Sequence, residues 1–110
     1  MLRFKAGVRI EFVGHQLTQI LASACIWSMR TRLDVEVNSV DDHAPGRSSA
    51  TLHGDSLAVD LDTMGDRRDD RARLAEYLRR QLAIGFDVVL ESDHVHVEYD
   101  PHRPPLRKGA

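Results

Sequence analysis

Two acidic residues and two histidines lie within the short segment from Glu91 to His96, near the C-terminal end of the chain. Imidazole and carboxylate groups at such close spacing are the groups that bind metal ions and transfer protons. If the segment is extended, His94, His96 and Glu98 point to one face, because side chains alternate along a strand. The valines between them then point to the other face. The polar face is either a functional site or a solvated surface, and the rest of the chain must distinguish the two.

The residues before this segment predict a hairpin that would position it. Residues 86–91 have the composition of a strand, and the Ser-Asp pair at 92–93 suits a two-residue turn. In that register Glu91 lies opposite His94. One carboxylate therefore shares a face with both imidazoles, since His96 lies two residues further along the same strand.

Hydrophobic periodicity predicts the elements that support the hairpin. Apolar residues recur at helical spacing in residues 15–30 and again in 74–82, which predicts two amphipathic helices. Alternating apolar and polar residues predict strands at 33–38 and 56–62. The segment 39–52 between these strands is rich in Asp, Ser, Pro and Gly, and a surface loop is expected there.

The predicted fold class is α+β, with a small antiparallel sheet that ends in a C-terminal hairpin and packs against two main helices. Gly85 is the expected C-terminal cap of the second helix. Residues 4–13 fit either a short strand or an irregular lead-in. At 110 residues and 42% hydrophobic content, residues 1–100 should form a single domain. The proline-rich, basic residues 101–110 are expected to leave the sheet and fray.

The composition argues against several classes of partner. The formal net charge is -2, so there is no overall basic field to attract nucleic acid. The second predicted helix is rich in arginine, but acidic residues are interleaved, which is typical of a solvated face. No segment approaches membrane-spanning length. Cys25 is the single cysteine and cannot form an internal disulfide, which suits synthesis in a reducing cytoplasm.

Two residues that precede the hairpin and one residue within it could form a metal site. A catalytic zinc ion typically takes three protein ligands from His, Asp or Glu and keeps a fourth position for water. His53, Asp60 and His96 could supply that set. They could equally be a loop histidine, a strand-end acid and a solvent-facing histidine, because spacing alone does not separate the two interpretations.

The segment Thr51–Asp60, TLHGDSLAVD, resembles a motif of zinc peptidases of the cell wall. The motif is Ser-x-His-x-x-Gly-x-Ala-x-Asp, found in zinc D-alanyl-D-alanine carboxypeptidases, D-alanyl-D-alanine dipeptidases and phage L-alanyl-D-glutamate endolysins. Thr51 stands in place of its serine. The segment Glu91–His96 is similar to the second motif of that superfamily and to the signalling domain of hedgehog proteins. The resemblance covers residues 35–100, and small phage or prophage proteins of this architecture are the closest in kind.

The resemblance implies a Zn²⁺-dependent metallopeptidase that hydrolyses peptide bonds in peptidoglycan stem peptides. It implies His53, Asp60 and His96 as the zinc ligands. Glu91 or Asp93 would accept the proton of the attacking water. Glu91 is the preferred base, because Asp93 is needed in the turn.

His94 would then neighbour the zinc ion and could hydrogen-bond the developing oxyanion, or it is a solvated strand histidine. Glu98 could orient a ligand, although a surface acid is the commoner role for such a residue. His43 and Arg47 are the candidates for substrate binding. The expected partner is peptidoglycan peptide, reached only if another factor releases the protein from the cytoplasm. The alternative function is a zinc-binding structural or interaction module of the same fold that does not turn over substrate.

Overall fold

The computed structural model describes residues 1–10, 14–42, 57–65 and 68–100. The elements, in chain order, are β1 (Leu2–Phe4), α1 (His15–Thr31), β2 (Val35–Asp42), β3 (Leu57–Thr63), α2 (Arg68–Gln81), β4 (Phe86–Leu90) and β5 (Val95–Tyr99). The α+β class, the two helices and the C-terminal hairpin are confirmed. Residues 101–110, predicted to fray, lie outside the described residues.

The strands form one five-stranded sheet in the order β1-β2-β3-β5-β4. β1 pairs in parallel with β2, and the other neighbours pair antiparallel, so the sheet is mixed rather than antiparallel as predicted. The difference arises because α1 carries the chain back across the sheet before β2 begins, and such a crossover makes the flanking strands parallel. β5 lies between β3 and β4, although it follows β4 in sequence.

The core lies between the two helices and one face of the sheet. Its buried hydrophobic residues are Leu17, Ile20, Ala24, Trp27, Leu74, Ala75 and Leu78 from the helices and Val35, Val37, Leu57, Val59, Leu61, Val88, Val95 and Val97 from the strands. In β3 buried and partly exposed residues alternate, so that Asp60 and Asp62 face away from the core. The opposite face of the sheet is therefore polar.

Helix α1 agrees with the helix predicted from apolar spacing. It begins after Gly14, whose carbonyl accepts the backbone N–H of Thr18 at 3.1 Å. It ends where Arg32 adopts a left-handed conformation with φ of 62°. The Arg32 N–H then donates to the Ser28 carbonyl at 2.8 Å, which satisfies a backbone acceptor in the last turn.

Helix α2 ends before the glycine that was expected to cap it. The helix ends at Gln81, whereas Gly85 lies in the turn that leads into β4, with φ of 101°. A side chain at Gly85 would also place its Cβ 2.9 Å from a ring carbon of Tyr99. Gly85 is therefore required by the turn and by the close approach of the Tyr99 ring, and it is not a helix cap.

Strand β2 continues into the predicted loop and contains a β-bulge. The strand ends at Asp42 instead of residue 38, and its register against β3 shifts between Val37 and Ser39. A bulge changes which side chains face each side of the sheet. After the shift, Ser39 pairs with Asp60 and lies on the polar face.

Arg71, at the start of α2, ties the helix to the sheet and to the hairpin turn. Its side chain is only 7% exposed. The Nε atom donates to Oδ1 of Asp62 at 2.7 Å, and Nη1 lies 3.5 Å from the carbonyl oxygen of Ser92. Burying the charge of a guanidinium is costly unless it is paired, so the contacts with Asp62 and Ser92 stabilise Arg71 in its buried position. The same contacts link α2 to the turn of the β4–β5 hairpin.

Candidate metal centre

The β4–β5 hairpin has the predicted register. Val89 pairs with His96, and the backbone N–H of Glu91 donates to the His94 carbonyl at 2.9 Å. Side chains alternate from this point along β5, so Val95 is buried while His94 and His96 lie on the polar face. The hairpin thus delivers two imidazoles to one side of the sheet.

Asp60 of β3 meets both imidazoles. Asp60 is the cross-strand partner of His96, and its Oδ1 atom lies 2.7 Å from Nδ1 of His96. The same oxygen lies 3.5 Å from Nε2 of His94. One ligand atom from each of the three residues can be chosen so that all lie within 4.8 Å of one another. We call Asp60, His94 and His96 the metal triad, since this group could hold a metal ion.

Each member of the triad has a second polar atom that contacts a further residue. Ser39 Oγ donates to Oδ2 of Asp60 at 3.1 Å. Oδ1 of Asp93 lies 2.7 Å from Nδ1 of His94, and Oε1 of Glu98 lies 2.9 Å from Nε2 of His96. Metal-binding histidines are commonly oriented in this way by a carboxylate on the other ring nitrogen.

The donor set and its exposure both fit a metal ion. Two imidazole nitrogens and one carboxylate oxygen are donors that suit several transition metals, zinc among them. The side chains of Asp60, His94 and His96 are 31%, 26% and 25% exposed, respectively. An ion can therefore reach the triad from solvent, and a fourth coordination position would remain open for water or substrate.

The environment of His96 favours its protonated form when no metal is bound. Partial burial by itself lowers the pKa of His96, but hydrogen bonds to Asp60 and Glu98, together with their negative charges, outweigh it and raise the pKa. A neutral imidazole has a single N–H, whereas the imidazolium can donate to both carboxylates. A metal ion on the Asp60 side would have to displace that proton.

The free energy of unfolding of the metal-free protein should therefore fall as the pH rises through the raised pKa of His96. The His96 contribution is fully present below the unfolded-state pKa of about 6.5 and is lost above the folded-state value. Urea denaturation with a chelator present, from mildly acidic to mildly alkaline pH, measures this change. The variant His96→Gln should have a flatter pH profile.

The matched control for this experiment is His15→Gln, which removes an exposed histidine at the start of α1. It should retain the pH dependence of the wild-type protein. If His96→Gln and wild type lose stability with the same slope over this range, the interactions of the His96 imidazolium do not stabilise the fold.

The structure brings together most of the predicted site residues that it describes. Asp60 and His96, both predicted as metal ligands, are in contact, and Glu98 contacts the other ring nitrogen of His96. His94 was predicted to act on the oxyanion, but its position beside Asp60 makes it a further candidate ligand. The predicted zinc ligand His53 lies outside the described residues.

The other predicted residues have different positions. The Glu91 side chain is exposed at the end of the hairpin, and Asp93 pairs with His94 at its tip. The predicted substrate-binding residues His43 and Arg47 lie outside the described residues. Sequence reasoning missed Ser39, because its contact with Asp60 depends on the β2 bulge.

The part of the chain that the structure describes contains no helix long and apolar enough to cross a membrane. Neither family models nor curated proteins give a match to this chain. The metal triad and the residues that hold it are therefore the basis on which a function can be proposed.

Proposed function

We propose that the protein is a zinc-dependent peptidase that hydrolyses peptide bonds in peptidoglycan stem peptides. The observation that carries the proposal is the metal triad, in which one carboxylate oxygen faces two imidazole nitrogens on an accessible sheet face. The likeness of the segment Thr51–Asp60 to zinc peptidases of the cell wall directs the choice of zinc and of a peptide substrate.

Asp60, His94 and His96 would hold the zinc ion. When bound, zinc polarises a substrate carbonyl and lowers the pKa of a coordinated water towards neutrality. The chain itself keeps the triad in position. Asp93 and Glu98 fix the two rings through their outer nitrogens, and Ser39 fixes the Asp60 carboxylate through its second oxygen.

Glu91 is the better candidate for the proton acceptor. The hydrogen bond from His94 lowers the pKa of Asp93, against a smaller opposing effect of desolvation, and a lowered pKa makes Asp93 a weaker base. Asp93 is also engaged in holding the His94 ring. Glu91 lies directly across the hairpin from His94, and its exposed carboxylate can take a proton from an attacking water and return it to the leaving amine.

Zinc-loaded protein should cleave stem peptides, and Glu91→Gln should lower kcat by about 100-fold or more without loss of zinc. Asp93→Asn should have a smaller effect, about tenfold, because it disturbs the orientation of His94. Product formation from purified muropeptides, followed by chromatography and mass spectrometry, measures both effects. Zinc content is determined on the same samples.

The control variant Glu76→Gln makes the same chemical change on the exposed surface of α2, where Glu76 pairs with Arg80. It should leave turnover unchanged. Full activity in Glu91→Gln would rule out Glu91 as the base. A stoichiometric zinc protein that releases no product from any stem peptide would contradict the peptidase proposal.

A zinc-binding structural or interaction module is the second candidate function. The exposed position of Glu91 at the hairpin end favours this function. Within the described part of the chain, Glu91 bonds to His94 through its backbone and not through its side chain. A catalytic base is usually held within hydrogen-bonding reach of the proton that it removes. Zinc binding with a raised Tm, but no product, would support this second function.

A further inference from the structure

A groove of about 370 Å³ lies between α1 and α2, in the helical layer of the molecule. The metal triad lies on the opposite face of the sheet, so the two features are separate. We call this space the interhelical groove. Its volume falls within the range of about 300–1,000 Å³ that is usual for small-ligand sites. The groove is lined by Trp27, Ala72, Arg73, Glu76, Tyr77 and Arg80.

The spacing of residues along α2 explains the shape of the groove. Arg73, Tyr77 and Arg80 recur at steps of four and three residues, so they form one stripe along the helix. Ala72 flanks this stripe and leaves space, because its side chain is a single methyl group. Trp27 of α1 is only 5% exposed, and Tyr77 is half-buried against the core. The groove therefore has an aromatic floor and a charged rim.

Both aromatic residues of the floor carry a polar group that the protein leaves unused. In the part of the chain that the structure describes, neither the indole N–H of Trp27 nor the hydroxyl of Tyr77 makes a hydrogen bond. Among those same residues, Thr63 Oγ1 is the only fully buried side-chain polar atom without a partner, so both groups reach solvent. Trp27 is nearly all buried and lines the groove, so a ligand there can accept its N–H.

The charges at the rim are already paired. Arg80 Nε donates to Oε2 of Glu76 at 3.2 Å, and Arg73 Nη1 donates to Oδ1 of Asp70 at 3.4 Å. A paired arginine does not require an anionic ligand. A guanidinium has five N–H groups, however, so each arginine keeps donors for neutral oxygen atoms. The rim thus suits an uncharged ligand that is rich in hydrogen-bond acceptors.

The ligand must satisfy the aromatic floor and its polar groups together. It needs apolar surface for the two rings, a carbonyl or hydroxyl oxygen for the indole N–H, and a polar partner for the Tyr77 hydroxyl. A wholly apolar ligand would leave both groups unpaired, which is costly. An N-acetylated amino sugar offers C–H surface, hydroxyl groups and an amide carbonyl without a net charge. We propose that the interhelical groove binds an N-acetylated amino sugar of a glycan strand.

This proposal rests on the proposed function, since the glycan strands of peptidoglycan are built from such sugars, and it adds a second binding partner. Because the groove and the metal triad lie on opposite layers, the groove holds one strand while a stem peptide of a neighbouring strand is processed. Retention on the wall raises the effective concentration of stem peptides around the triad. Turnover of soluble stem peptides does not depend on the groove.

Trp27 is the single tryptophan of the chain, so its fluorescence reports directly on the groove. The test uses the full-length, metal-free protein with two probes, N,N′,N″-triacetylchitotriose and cellotriose. Both are chains of three sugar rings, but cellotriose lacks the acetamido groups. The acetylated sugar should change the Trp27 emission saturably and bind about tenfold more tightly than cellotriose, because its amide carbonyl supplies a further hydrogen bond.

The chain has two tyrosines, which provide a matched pair of variants. Tyr77→Phe removes the hydroxyl in the groove and should weaken binding of the acetylated sugar by about fivefold to tenfold. Tyr99→Phe makes the same change in β5, where the ring packs against Phe86, and should keep the wild-type affinity. Both variants retain Trp27 and therefore the signal. The comparison of the two probes in the wild-type protein does not depend on the folding of any variant.

Equal affinity for the two sugars in the wild-type protein would overturn the proposal, as would wild-type affinity in Tyr77→Phe. Tighter binding of hexaglutamate than of the acetylated sugar, with the same change in Trp27 emission, would assign the groove to an acidic peptide instead. Emission that changes with protein concentration alone, together with a dimer in sedimentation, would assign it to a second copy of the chain.

The binding test is independent of the peptidase proposal, because the protein is metal-free and the probes contain no stem peptide. Sugar binding without peptide cleavage in the zinc-loaded protein would contradict the peptidase proposal and leave the groove assignment standing. Peptide cleavage without sugar binding would overturn the groove proposal alone.

Discussion

Replacing Asp60 with alanine should lower the affinity for Zn²⁺ by more than about 100-fold, beyond the loss expected from removing a residue that only orients a ligand. Asp60 is the only carboxylate of the metal triad, and Oδ1 is the atom that both imidazoles face, at 2.7 Å from His96 and 3.5 Å from His94. Alanine leaves two histidines without the shared oxygen. Competition with a chromophoric chelator measures the affinity.

The same experiment tests the role of Ser39. Ser39→Ala removes the hydroxyl that donates to Oδ2 of Asp60 but keeps every ligand atom, so it should weaken zinc binding by about tenfold. Asp69→Ala, an identical acid-to-alanine change on the exposed first turn of α2, should leave the affinity unchanged. Wild-type affinity in Asp60→Ala would show that zinc binds elsewhere.

Leu61→Ala should lower the free energy of unfolding by about 2–5 kcal/mol, the range found when a large buried side chain is truncated. Leu61 is fully buried in β3, and its strand neighbours Val37 and Val95 belong to the same core. The alanine would leave a cavity between the sheet and the helices. Urea denaturation of the metal-free protein measures the loss directly.

Ile84→Ala is the control for this substitution. Ile84 is 93% exposed, so its truncation should change the free energy of unfolding by less than about 0.5 kcal/mol. Under conditions where Leu61→Ala remains folded, it should still bind zinc, because its side chain faces away from the triad. A loss as small as that of Ile84→Ala would mean that the neighbouring residues repack around the alanine.

Local patterns were sufficient to predict the elements of the fold that depend on nearby residues. The apolar spacing of α1 predicted its buried face, from Leu17 to Trp27, because helix packing repeats with the helical period. The parallel position of β1 was not predictable in the same way. Three residues carry too little alternation to identify a strand, and pairing with β2 is a long-range contact.

The site was predictable to the extent that it depends on strand register. Alternation along the hairpin strand determines that His94 and His96 share a face, and alternation in β3 places Asp60 on the polar side. The two-residue turn determines which residues of β4 lie opposite the histidines. Ser39 could not be predicted, because strict alternation from Val37 would have turned it towards the core. The bulge reverses that assignment, and a bulge leaves no mark in the hydrophobic pattern.

The position of β5 determines when the metal triad can form during synthesis. β5 lies between β3 and β4 in the sheet, so β3 and β4 belong to one sheet only when β5 pairs with both of them. β5 is also the last of the three strands to be synthesised. Asp60 is translated 36 residues before His96, its cross-strand partner. Because chains emerge from the ribosome N-terminus first, a nascent chain that lacks β5 has neither a complete five-stranded sheet nor a metal triad. Zinc binding would thus report completion of the sheet as well as the presence of the ligands.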